Sequence, residues 1–190
     1  MMKTLNEMTK EELIELENGC WMTHDGMWFY SCLDKLGIET TNMLNKSAIR
    51  GLASFEIERT KKAIGFEKDK LESFEDFKAY FVMAKTLFIP PFMNATMSFP
   101  RQNILHWSFE PGKCFAYKGM RRLGVIDKYE CGVIFRIECW LDYFGIKYTM
   151  RPRIDKCLMH VTGECSGDIE MFFHDFFKKE PCTNCSLKYL

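Results

Sequence analysis

The stretch Ser73-Phe74-Glu75-Asp76-Phe77-Lys78-Ala79-Tyr80-Phe81-Val82-Met83-Ala84-Lys85-Thr86-Leu87-Phe88-Ile89-Pro90-Pro91-Phe92-Met93-Asn94-Ala95-Thr96-Met97-Ser98-Phe99 decides the fold class. Up to Pro90 the apolar residues Phe74, Phe77, Phe81, Ala84 and Phe88 recur every three or four positions, which predicts one buried helical face. Ser73, with Asp76 three residues on, starts that helix, and Pro90-Pro91 ends it. Beyond the prolines the period falls to two. Met93, Ala95, Met97 and Phe99 alternate with Asn94, Thr96 and Ser98, and Leu105, Trp107 and Phe109 alternate with His106, Ser108 and Glu110. The chain therefore changes from helix to strand at residue 90.

Working back from this point, the front is helical. Thr9-Lys10-Glu11-Glu12 fits a capping box. Leu13, Leu16, Cys20, His24, Trp28 and Ser31 then form a stripe that ends near Leu36-Gly37. A second helix is predicted from about Thr41 to Ile64, with Leu44, Ala48, Leu52 and Phe55 facing inward and Gly65 as a left-handed stop. Working forward, Pro111-Gly112 makes a turn. Val133, Ile137, Trp140, Leu141 and Phe144 predict one more helix, closed by Gly145. Strands are predicted at 146–153, 156–162 and 168–173. The fold class is α+β, with N-terminal helices packed on a mostly antiparallel sheet interrupted by one helix. No repeat or linker divides residues 1–177, so they read as a single domain with a helical part (1–90) and a sheet part (91–177). Residues 178–190 read as a tail.

Composition narrows the function classes. The 190 residues carry 26 Lys plus Arg against 26 Asp plus Glu, a balance that argues against nucleic acid or an anionic membrane as partner. An apolar fraction of 47% excludes a disordered chain. The acidic start Met1-Met2-Lys3-Thr4-Leu5-Asn6-Glu7 is unlike a signal peptide. No apolar run is long enough to span a bilayer. These features point to the cytoplasm, where the nine cysteines would stay reduced. An odd count suits free thiols or metal ligands better than a disulfide framework.

Four places carry residues suited to chemistry. In Cys157-Leu158-Met159-His160-Val161-Thr162-Gly163-Glu164-Cys165 a hairpin would bring the two cysteines together. His160, Arg151, Arg153 and Lys156 nearby would lower their pKa for nucleophilic or metal-binding work. Strict alternation puts His160 on the opposite face from Cys157. In Asn18-Gly19-Cys20-Trp21-Met22-Thr23-His24-Asp25-Gly26-Met27-Trp28, Cys20, His24 and Trp28 share one helical face, suited to acid–base work or to a packing seam. Cys182-Thr183-Asn184-Cys185 is a lone C-x-x-C, which would complete a zinc or iron site with Cys157 and Cys165, bind such an ion by itself in a dimer, or be adventitious. Finally, Arg121-Arg122 and the Lys147/Thr149/Arg151/Arg153 face would hold a carboxylate or phosphate, or form a solvated sheet face. Cys32, Cys114 and Cys139 read as packing. Phosphate-binding and dinucleotide loops, a serine elbow and an H-E-x-x-H helix are all missing from the sequence.

The run of Cys131, the helix through Trp140 to Phe144-Gly145, the following strand, and Cys157 with Gly163 and Cys165 resembles the end of the vinyl-reductase-type small-molecule-binding domains. The same order is similar to the L-2-amino-thiazoline-4-carboxylic acid hydrolases. The block from Asn18 to Gly26 resembles an uncharacterised group of prokaryotic cytosolic proteins. The resemblance implies helices over an antiparallel sheet enclosing a pocket for a small organic ligand. His160 and the long helical front depart from it. Two functions are expected. One is a small-molecule-binding, metal-responsive domain whose pocket is lined by Trp28, Trp140, His160, Arg151 and Arg153, with a homodimer allowed by the aromatic stripes. The other is a hydrolase of a C–N bond in a small cyclic amino-acid-like compound, using Cys157, Cys165 and His24 as catalytic groups.

Overall fold

The computed structural model describes residues 2–173. Helix α1 (Lys10–Ile64) is followed by α2 (Phe74–Phe88), β1 (Ala95–Ser98), β2 (Ile104–Phe109), α3 (Phe115–Arg122), α4 (Gly132–Tyr143), β3 (Lys147–Arg151), α5 (Leu158–Val161) and β4 (Cys165–Phe172). All neighbouring strands are antiparallel, in the order β1-β2-β4-β3. The α+β class is as expected. The sheet, however, is interrupted by three helices rather than one. The stretch 156–162, expected as a strand, holds α5 instead, so Cys157 and Cys165 do not face each other across a hairpin. The predicted tail, with Cys182 and Cys185, lies outside the described residues.

Local sequence accounts for the boundaries. The Thr9 hydroxyl accepts from the Glu12 N–H while the Glu12 carboxylate accepts from the Thr9 N–H, a complete capping box. The Ser73 hydroxyl accepts from the Asp76 N–H at the start of α2, and Gly65 ends α1 in the left-handed conformation. Near its middle α1 breaks at Gly37 (φ 76, ψ 171), a combination open to glycine alone. It therefore has two arms, close to the two helices the sequence predicts.

The inward faces of those arms differ from the predicted stripe. His24 is exposed, Trp28 is 63% exposed and Phe55 58% exposed, whereas Asn18, Phe29, Asn42, Ala53, Glu56, Ile57 and Thr60 are buried. Polar residues on this face act as clamps. Asn18 Nδ2 donates to the Ile14 and Leu87 carbonyls. Asn42 Nδ2 donates to the Lys128 carbonyl, and its Oδ1 accepts from the Glu130 N–H. Each clamp ties α1 to a distant loop or helix end through partly buried hydrogen bonds to its backbone.

The core between helices and sheet holds Ile57, Phe77, Tyr80, Phe81, Leu105, Trp107, Ile134, Leu141, Ile169 and Met171, all less than 2% exposed. The α2 stripe supplies it as predicted. Phe77 stacks on Phe81, and Phe74, Phe77 and Phe81 all meet Phe99 edge-on.

The backbone at Gly37 makes a paired prediction. Gly37→Ala should destabilise by about 1–3 kcal/mol through strain at a positive φ. Gly51→Ala lies in regular helix with open space around the added methyl and should stabilise by about 0.5–1 kcal/mol. Urea denaturation of both variants checks the pair; equal effects would show that the break is not enforced by glycine.

Candidate functional site

The first arm of α1 lies over α4 and the β1–α3 region without filling the space between them. A cavity of about 560 Å³ remains, within the range of ligand sites. Its wall is mainly apolar and aromatic, with Trp21, Phe29, Phe88, Phe109, Met120 and Trp140 prominent. Trp21, Asp25 and Phe29 follow one another at four-residue steps, so helix geometry sets them on one face, a carboxylate between two rings. Phe29 meets Tyr129 edge-on at 5.9 Å.

One buried charge pair shapes one side of this cavity. Glu56 on α1, 6% exposed, accepts from Arg136 Nε at 2.9 Å and from Arg136 Nη2, and also from the Trp140 indole N–H at 2.8 Å. Arg136 lies over the rings of Trp21 (4.6 Å), Phe88 (5.2 Å) and Trp140 (5.7 Å). Burial pulls its pKa down to about 10, with the Asp25 charge acting in the other direction. It stays protonated at neutral pH. With three donors Glu56 is satisfied, which a buried carboxylate requires.

Asp25 is different. It borders the cavity, is exposed, and forms no hydrogen bond or ion pair with another described residue. Desolvation by the surrounding apolar groups raises its pKa, against the milder opposing fields of Arg136 and His24.

Four cysteines converge on a second, closed space of about 10 Å³, lined by Cys114, Cys131, Cys157 and Cys165 with Ile134, Ile154 and Met159. Phe109, Ala116, Tyr129 and Val133 border both spaces and so form a shared wall. Cys114, Cys131 and Cys157 are the residues that open α3, α4 and α5. First-turn N–H groups turned toward each sulfur favour the thiolate, although none has the geometry of a side-chain cap. The Trp107 indole N–H has no well-formed hydrogen bond and lies toward Cys165, where it acts the same way. Burial outweighs these donors: it raises the thiol pKa of Cys114 and Cys157, and pushes Cys131 and Cys165 up to about 12. Cys165 also borders an open groove with Glu164 and Ser166.

The expected site residues are therefore scattered. Trp140 lines the cavity; Trp28, His24, His160, Arg151 and Arg153 do not. His160 Nε2 pairs with Asp127 Oδ1 at 2.7 Å, and Arg153 Nε with Asp155 at 3.2 Å, both at the surface. Arg151 is exposed on β3, opposite Asp168 on β4. His24 on α1 lines neither the aromatic cavity nor the cysteine-lined space. Among the described residues no group of three or more His, Cys, Asp and Glu side chains is arranged to hold a metal ion. Two of the four cysteines expected to hold zinc or iron, Cys182 and Cys185, lie outside those residues, and Cys157 and Cys165 by themselves do not make up a group of three. Sequence reasoning missed Glu56, Arg136 and Cys114. Charged residues inside helical stripes, and a cysteine immediately before a helix, were the available signals.

Residues 4–89 match DUF6125, a family of unknown function. That stretch spans α1 and α2 and includes Trp21, Asp25 and Glu56. No curated protein and no solved structure matches the chain. The likeness to vinyl-reductase-type domains and to the hydrolases therefore stands on the quoted residues alone. No helix among the described residues is long and apolar enough to cross a membrane.

Two measurements follow from these environments. A carboxyl whose folded pKa is raised costs stability wherever the pH exceeds that pKa, and nothing below its unfolded value of about 3.9. Asp25→Asn should therefore melt above the wild type at pH 7, with the gap closing as the pH falls below about 4. A lower melting temperature at pH 7 would refute the assigned environment. In alkylation with iodoacetamide at pH 8, followed by mass spectrometry, exposed Cys20 should react at least tenfold faster than Cys114, Cys131, Cys157 and Cys165. Comparable rates would mean that the four thiols are open to solvent.

Proposed function

We propose that this protein is a small-molecule-binding domain whose ligand occupies the aromatic cavity between the first arm of α1 and α4. The single observation that carries this reading is the cavity itself: about 560 Å³ of mostly apolar wall with one unpaired carboxylate and a fixed guanidinium. A half-open cleft of this size, with a mostly apolar wall and a few convergent polar groups, suits a ligand. The resemblance to vinyl-reductase-type domains agrees with it. The balanced charge of the chain favours an organic ligand over nucleic acid or a membrane surface, in a cytoplasmic setting.

The hydrolase alternative has less support. It asks for a reactive thiol beside a space that admits substrate, but Cys157 faces the small closed gap and burial disfavours the thiolates of both Cys157 and Cys165. A metal-responsive form of the binding reading would rest on the four thiols, which adjoin the ligand cavity through the shared wall. It requires the sulfurs to draw closer together around the ion. Elemental analysis of anaerobically purified protein tests that form separately.

The neutral dye N-phenyl-1-naphthylamine should bind one per chain with saturable fluorescence. Leu52→Trp, which adds bulk to the cavity wall, should weaken binding at least tenfold. Cys157→Ser and Cys165→Ser should change it less than threefold. Unchanged binding in Leu52→Trp, with its melting temperature preserved, would place the site elsewhere and overturn the proposal.

A further inference from the structure

Within the cavity just proposed, and resting on that reading, the geometry points to a specific ligand class: an aromatic or otherwise apolar molecule carrying one ammonium group, held by Asp25.

The inference comes from charge accounting along the wall. The charged lining residues are Asp25, Arg122 and Arg136. Arg136 is matched by Glu56 behind it. Its Nε and Nη2 are directed to that carboxylate and its plane is covered by Trp21, so its charge and much of its donor set are already used. Arg122 is exposed in the last turn of α3. Asp25, also exposed, is the one carboxylate of the lining, and it has no hydrogen-bonded or ion-paired partner among the described residues. Glu56, Arg136 and Asp25 together leave one negative charge at this side of the cavity.

The surroundings of Asp25 suit a cation better than a neutral hydroxyl. Trp21 and Phe29, one helical turn to either side, are both cavity-lining, and Tyr30 lies next to Phe29 on the same lining. Ring faces attract ammonium groups through their quadrupole, and the attraction grows as water is displaced. A carboxylate flanked by aromatic rings combines that attraction with a charge-assisted hydrogen bond. Binding a cation would also relieve the desolvation that an unpaired carboxylate suffers in this wall. An anionic ligand would meet Asp25 directly and find Arg136 already engaged.

Matched pairs of amine and alcohol test this, each used to displace N-phenyl-1-naphthylamine: tryptamine against tryptophol, and 2-(1-naphthyl)ethylamine against 2-(1-naphthyl)ethanol. The amine of each pair should bind about ten- to a hundredfold more tightly at pH 7, the range of a hydrogen bond to a charged group. Asp25→Asn should bring that ratio close to one, and Asp25→Glu should restore a preference for the amine. If the dye binds but amine and alcohol compete equally, or neither competes, the ammonium inference is overturned and the apolar cavity stands. If the amine preference survives in Asp25→Asn, another group recognises the cation and Asp25 has no such role. If the dye itself does not bind, it is the cavity reading that falls.

Discussion

The buried bond between Glu56 and Arg136 is the interaction on which the rest of this molecule depends. It joins α1 to α4 across 80 residues of sequence, inside a layer that hydrophobic burial alone would close more tightly. Removing one partner of such a pair leaves an uncompensated buried charge and costs roughly 3–5 kcal/mol, a large fraction of a typical domain's stability. The bond also fixes distance. Arg136 is wide enough, with Trp21, Phe88 and Trp140 around it, to hold the helices apart, and the cavity lies beside it. An apolar pair at these positions would favour collapse of the same space.

The two cavities divide the polar chemistry between them. The large one keeps a carboxylate unpaired, and the small one keeps four sulfurs as thiols under the opposing pull of burial and first-turn N–H groups. The wall of Phe109, Ala116, Tyr129 and Val133 serves both. Tyr129 is fixed in this wall because its hydroxyl accepts from the Gly132 N–H at the start of α4. Displacement of these side chains from one face would be felt at the other, since packed interiors transmit strain.

Much of the fold was legible because it is written locally. Ser73, Thr9, Gly65 and Pro90-Pro91 mark their boundaries by capping or by restricting backbone angles, and neither effect needs the rest of the chain. The strand face of Leu105, Trp107 and Phe109 followed from a period of two. The inward face of α1 was not legible, because Asn18, Asn42 and Glu56 are buried for partners 69 to 88 residues away, which no local pattern reveals. Helices α3 and α5 were missed because, at 8 and 4 residues, they are too short for a helical period to stand out from the surrounding sequence. The cavity was visible only as an excess of aromatic and methionine residues. Cys114 looked like packing because its companions come from other elements.

The break at Gly37 has a bearing on how such a protein changes over generations. The arm before it carries Trp21, Asp25 and Phe29; the sheet, α4 and the Glu56 end of α1 lie after it. The wall of the cavity is therefore drawn from both sides of the break, with Trp21, Asp25 and Phe29 before it and Leu52, Met120 and Trp140 after it, joined through one backbone angle. Within the first stretch, exposed Trp21 and Asp25 can change with less effect on the core than Phe29, which serves the cavity and the core at once, so new specificities are most readily reached through the exposed pair.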